Sequence, residues 1–121
     1  MARVELIDSW MTNIPSNEIW PRVHGFLTYY QVRVDRQTPY EVTGAHGSQV
    51  TTRFVGGWFT DASNYPKRIS IYLQMVEGGT QVSVKIEETL GFGWLDSVMK
   101  KRYWDFFVWW AGALRAALPP V

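Results

Sequence analysis

The sequence predicts a single α+β domain over residues 1–121, with a curved antiparallel sheet of about six strands wrapped around one long C-terminal helix. Three observations predict it. Trp94 to Leu118 (WLDSVMKKRYWDFFVWWAGALRAAL) has no proline and stops at Pro119-Pro120. It sets Leu95, Met99, Tyr103, Phe106, Trp110, Ala113 and Ala117 on one helical stripe, widened by Phe107 and Leu114. From Leu27 to Glu87, apolar residues instead recur at every second position, the period of a half-buried strand. Finally, Gly78-Gly79 joins two such runs, Ile69 to Met75 and Val82 to Ile86, into a hairpin with one apolar and one charged face. An antiparallel sheet with one wet face needs a single cover, and the terminal helix has the length and stripe to supply it.

In chain order, Arg3 to Met11 reads as a first strand, with Val4, Leu6 and Trp10 on one side and Asp8 interrupting them. Asn13-Ile14-Pro15-Ser16 breaks it, and Ser16 or Asn17 is placed to cap a short helix running to Val23–Phe26. Pro21 lies too deep for a clean first turn, so this helix is expected to be short, kinked or partly 3₁₀. A second strand is expected from Leu27, with Tyr30, Val32 and Val34 inward, and a third after the turn at Arg36–Pro39, with Tyr40 and Val42 inward. A fourth follows the His46-Gly47-Ser48 turn, with Val50, Thr52, Phe54 and Trp58 on its inner side. The polar loop Asp61–Pro66 separates it from the hairpin strands. Arg33, Glu41, Arg53, Arg68, Lys85 and Glu87 collect on the outer face, while Ser97, Lys101, Asp105, Gly112 and Arg115 fall on the far side of the terminal helix.

Composition narrows the function classes. Aromatic residues make up 16% of the chain, with 7 Trp, 6 Tyr and 6 Phe. Each ring buries about 150–250 Å², so the interior either packs tightly or leaves a shaped space between ring systems. Twelve basic and eleven acidic residues give a net charge of +1, which offers no electrostatic footprint for nucleic acid. With no cysteine there is no disulfide, thiol nucleophile or thiolate metal site. Two histidines, His24 and His46, do not by themselves build a closed zinc site, so neither metal nor cofactor is expected. The start MARVELIDSW lacks the pattern of a signal peptide. The run Phe106–Leu118 contains Arg115 and is too short to span about 30 Å of hydrocarbon. A cytoplasmic protein with no integral membrane segment is therefore expected.

Three stretches carry a resemblance. Arg3 to Val23 (RVELIDSWMTNIPSNEIWPRV), Glu77 to Ile86 (EGGTQVSVKI) and the closing Trp94–Leu118 helix resemble the first strand and helix, the late Gly-Gly-Thr hairpin and the final helix of the START/Bet v1-like superfamily. That helix-grip superfamily includes polyketide cyclase-like and lipid-transfer proteins. The resemblance implies a pocket between the curved sheet and the long helix that takes an apolar or aromatic small molecule. The chain is short for the superfamily, with room for six strands and little or no second helix, so that pocket is either reduced or filled. The superfamily shares no universal catalytic residue, and fold alone does not name a function.

The expected ligand-lining set is Tyr30, Tyr40, Thr52, Trp58, Ile71, Leu73, Met99, Tyr103, Phe106 and Trp110, with phenol and indole groups to orient the ligand; a plain aromatic core is the competing reading. Glu88 joins the set as an inward carboxylate, which is costly unless paired. It is a candidate acid/base or hydroxyl-orienting group, or else a solvated residue at the pocket mouth, and Asp8 carries the same two readings. His46 faces inward if its strand stays regular, and His24 is a candidate to polarise a carbonyl or, more simply, a surface or hydrogen-bonded structural histidine. No nucleophile–base–orienter set or phosphate loop is visible. Trp104 and Val108 stand near the polar side of the terminal helix, beside Lys101 and Asp105. Packing against the first helix, a homodimer contact or a membrane-surface contact accounts for such a position, in that order. The expected function is binding of a hydrophobic or aromatic small molecule. The alternatives are a cyclase-like or hydrolytic enzyme using the same pocket and an interaction domain with a filled core.

Overall fold

The computed structural model describes residues 3–47, 64–90 and 95–121. The expected strand carrying Val50, Thr52, Phe54 and Trp58, and the outer-face position of Arg53, lie outside these residues. Among the described residues the chain is α+β, with five strands and two helices: β1 (Glu5–Thr12), α1 (Ser16–Tyr29), β2 (Arg33–Gln37), β3 (Glu41–His46), β4 (Lys67–Val76), β5 (Gly79–Glu88) and α2 (Ser97–Ala117). The strands form one antiparallel sheet in the order β1-β5-β4-β3-β2.

Sequence pattern explains most of this sheet. Thr80, Val82, Val84, Ile86 and Glu88 alternate inward along β5, and Ile69, Ile71 and Leu73 do so along β4. The hairpin turns tightly at Glu77-Gly78, where Gly78 takes φ of 89° at no steric cost. On the wet face Lys85 lies between Glu5 and Glu87, and Arg68 reaches Asp35 at 2.8 Å. Such exposed pairs contribute little energy but fix the solvated face.

Two elements differ from expectation near the first helix. α1 is α-helical for 14 residues, longer than expected, and runs through Pro21 to Tyr29. Its buried positions Ile19, Val23, Phe26 and Leu27 keep helical spacing past the point where the sequence alternates by two. That burial overrides the strand preference of Leu27-Thr28-Tyr29-Tyr30. Pro15 stands at the N-cap with no side-chain cap, so neither Ser16 nor Asn17 plays that part. β2 begins only at Arg33 and is exposed throughout; Val34 faces solvent, and a bulge interrupts pairing between Val34 and Arg36. A short, charged, bulged strand is what a sheet edge tolerates.

α2 starts where the Asp96 side chain accepts from the Met99 N–H at 2.9 Å. Its fully buried line is Met99, Tyr103, Phe107, Trp110, Ala111 and Leu114; Leu95, Phe106 and Ala113 are only partly buried. The inner face is therefore centred on Phe107 and Leu114 rather than on Phe106 and Ala113. The helix packs against α1 on one side and β1 on the other, which turns it toward β1.

Arg115 secures that side. Expected on the far face, it instead reaches Asp8 through two hydrogen bonds of 2.8 and 2.9 Å and stacks on Trp10 at 4.6 Å. The Arg115 hydrogen bond holds the Asp8 carboxyl below its ordinary value, against the opposing effect of burial. A lowered carboxyl value stabilises the fold above the ordinary aspartate pKa near ~4, and this contribution is lost as pH falls through the folded value. Both groups are partly exposed, so its size is at most about 1 kcal/mol. Asp8→Asn should therefore lower the melting temperature slightly at pH 7 and flatten its fall below pH ~4. Equal acid sensitivity in both proteins would remove Asp8 from that account.

Candidate functional site

The interior between sheet and helices is filled by large side chains. Trp110, Tyr103, Phe107 and Tyr65 are fully buried, with Tyr65 and Tyr103 ring centroids 4.9 Å apart. The Tyr103 hydroxyl donates to the Pro66 carbonyl at 2.9 Å. Burial first, then the nearby Glu88 charge, pushes the Tyr103 phenol far above its ordinary value, so it remains a donor. Ile71, Leu73 and Met99 are core residues of the same interior.

At one end of the sheet two recesses meet at His46. The first is aromatic, holds about 190 Å³, and is lined by Tyr29, Tyr30, Gln31, His46, Phe106, Trp109 and Trp110. The end of α1 delivers Tyr30, whose ring lies 5.3 Å from Trp109 and 6.1 Å from Trp110. Gln31 follows with φ of 58°, a left-handed residue that turns the chain sharply away into β2. From α2, Phe106 and Trp110 stand 5.0 Å apart, one helical step removed from each other. The second recess is polar, holds about 340 Å³, and is lined by Arg33, Ala45, His46, Gly47, Pro66, Lys67, Arg68 and Thr89.

Lys67 is the residue that sequence reading missed. It is fully buried at the start of β4, with its ammonium 4.4 Å from the Phe106 ring centre and 5.7 Å from that of Trp110. His46 Nδ1 lies 3.3 Å from it. The two nitrogens are within hydrogen-bond distance, which ties the imidazole to the start of β4. A signal for Lys67 was present in the alternation: stepping back by two from Leu73, Ile71 and Ile69 reaches Lys67 on the same face. Trp110 adds a second unusual group, for its indole N–H is buried without a hydrogen-bond partner, alone in this among the described residues.

The remaining expected site residues are dispersed. Tyr30, Phe106 and Trp110 come together in the aromatic recess. Tyr40 does not join them: it is 67% exposed at the turn before β3, beside a small recess of about 70 Å³ that it shares with Trp20 and Leu73. The β2–β3 connection turns it to solvent, and Val42 alone continues the inward phase. Thr52 and Trp58 lie outside the described residues. Glu88 is inward, as its parity requires, and paired rather than solvated. Its Oε1 accepts from the Arg3 backbone N–H at 2.8 Å, its Oε2 accepts from the Leu90 N–H at 3.0 Å, and the Arg3 guanidinium lies against both oxygens. His24 sits near the surface beside Gln37, at 3.2 Å.

Trp104 and Val108 do not pack on α1. They are 46% and 48% exposed and face β1 across a groove of about 370 Å³ that also includes Ile7, Asp8 and Arg115. Among the described residues no group of three metal-ligating side chains occurs, and no helix is long and apolar enough to cross a membrane. No protein-family model matches the chain, and no curated protein matches it.

Proposed function

We propose that this chain is a short helix-grip domain that binds an apolar or aromatic small molecule in the recess beside His46. The order of strand, helix, antiparallel strands and closing helix supports the fold reading. The observation that carries the functional reading is the cluster of Tyr30, His46, Phe106, Trp109 and Trp110 around an open space, with Lys67 packed against the Phe106 and Trp110 rings from the adjoining polar recess. Aromatic walls with a few placed polar groups are the usual make-up of a small-molecule site. The two adjoining recesses, of about 190 and 340 Å³, together fall within the usual range of roughly 300–1,000 Å³ for such sites. Binding is favoured over catalysis because Glu88, the expected acid/base, is occupied holding Arg3 and the Leu90 N–H.

The test is thermal unfolding with a panel of naphthalenes, flavonoids, sterols and fatty acids, read also by tryptophan fluorescence. A true ligand at about 100 times its dissociation constant should add roughly 2.7 kcal/mol of stability. Trp109→Ala should abolish the shift, since Trp109 is 55% exposed and its removal spares the core. No response to any compound, or an unchanged response in Trp109→Ala, counts against the recess.

A homodimer through Trp104 and Val108 is a second reading, favoured by the exposure of both together with Ile7, which is 68% exposed. Sedimentation of the full chain should then give a dimer that Trp104→Ala converts to monomer; a monomer at all concentrations rules this out.

A further inference from the structure

We propose that two copies of this chain join edge to edge through β1, antiparallel about a two-fold axis at Ile7, into one continuous sheet with both α2 helices on its inner face. This rests on the reading of Trp104 and Val108 as a homodimer contact and names the strand that makes it. Among the described residues the two edges of the sheet are unlike. β2 is short, charged and bulged, as a guarded edge is. β1 runs for eight residues in unbroken register with β5, carries no proline or lysine, and leaves Ile7 exposed.

Backbone direction shows what β1 offers. The Val4 carbonyl accepts from the Glu88 N–H, so the even-numbered residues that follow point their backbone groups at β5. The Met11 carbonyl accepts from the Val121 N–H on the opposite side, so the odd-numbered residues point theirs outward. Pro120 and Val121 cover the end of that edge at Thr12 and Met11. Glu5, Ile7 and Ser9 remain. Of their backbone groups only the Ser9 N–H has a partner among the described residues, the Asp8 carboxylate at 2.9 Å. A stretch with Ile7 at its centre is self-complementary. After a half-turn Ile7 exchanges two hydrogen bonds with its own copy, and each Glu5 N–H meets a Ser9 carbonyl.

Three observations make the occupant a second copy. Groups near a two-fold axis face their own like, so unbalanced charge there repels. Here Asp8 is held by Arg115 at 2.8 Å, Lys101 by Asp105 at 2.6 Å and Glu5 by Lys85 at 3.6 Å, so the charges beside the axis cancel in pairs. The same Arg115 neutralises the inward carboxylate of Asp8, which otherwise deters edge pairing. Second, Ile7, Trp104 and Val108 line one groove, and the half-turn sets that groove against its copy, covering all three. Third, pairing uses the unguarded edge of each copy, so the assembly closes at two.

Sedimentation equilibrium of the full chain, with amide hydrogen exchange over the same concentrations, tests this. A dimer is expected, in which the Glu5 and Ile7 amides exchange about ten-fold or more slowly than in the monomer. Ile7→Pro removes an N–H that β5 does not use and suits an edge strand, so it should give a folded monomer. Ile7→Lys sets two ammonium groups at the axis and should weaken the dimer about ten-fold or more, with salt restoring part of the loss. Should Ile7→Pro fail to fold, Ile7→Lys and the exchange rates decide. A dimer that survives both Ile7 variants, with Glu5 and Ile7 amides exchanging alike at every concentration, overturns the β1 seam. If Trp104→Ala still breaks that dimer, the helix-face reading stands without it. A monomer at all concentrations ends both.

Discussion

Phe107→Ala should destabilise the domain by about 3–5 kcal/mol, the usual cost of removing a fully buried ring. Phe107 has no exposed surface and packs on Tyr103 with ring centroids 5.6 Å apart. Such a loss is a large part of the roughly 5–15 kcal/mol that holds a domain folded. For a chain of this length the melting temperature should fall by roughly 10–20 °C. The neighbouring Val108→Ala supplies the contrast, because Val108 is about half exposed and its truncation should change stability by no more than ~0.5 kcal/mol. Comparable losses from both variants in urea titrations would mean that α2 presents a different face to the sheet.

Glu88→Ala should be nearly as damaging, at about 3 kcal/mol, for a different reason. It removes the carboxylate that accepts from the Leu90 and Arg3 backbone N–H groups and that the Arg3 guanidinium lies against. Breaking a buried pair by removing one partner costs about 3–5 kcal/mol. The lower end applies because the Arg3 side chain retains a third of its exposure. Glu88→Gln keeps one acceptor oxygen and should recover part of the loss. If Glu88→Ala melts like the parent, the carboxylate is a site residue rather than a clamp on the chain entering β1.

The contrast between these residues shows how far the sequence could be read. Phe107 and Glu88 were both legible as inward, since helical and strand periodicity depend only on spacing. Whether Glu88 was solvated, catalytic or paired was not legible, because its partners lie at position 3 and position 90 and meet only through the β1–β5 pairing. Tyr40 failed for a related reason: a residue at the end of a strand takes its direction from the turn, and alternation does not fix that. The end of α1 was misplaced because Leu27 to Tyr30 has local strand preference, while burial of Phe26 and Leu27 favours continued helix. Lys67 was hidden by its type. A lysine in an apolar phase is ordinarily discounted, and the groups it meets, the ring faces of Phe106 and Trp110 and the His46 imidazole, come from distant parts of the chain.

The strand order bears on how this chain reaches its folded state. β4 and β5 are joined by a two-residue connection, so their pairing closes a loop of minimal length. β1 pairs with β5 across a separation of 74 residues at Ser9 and Ser83, and its edge is further tied where the Val121 N–H donates to the Met11 carbonyl. Strand β1 is thus held by residues that follow it by more than a hundred positions. The hairpin has the contacts to form alone, whereas β1 must wait with Leu6 and Trp10 uncovered until α2 exists to receive them. The apolar surface at risk during synthesis is therefore that of β1, and its protection is delayed until α2 has been made.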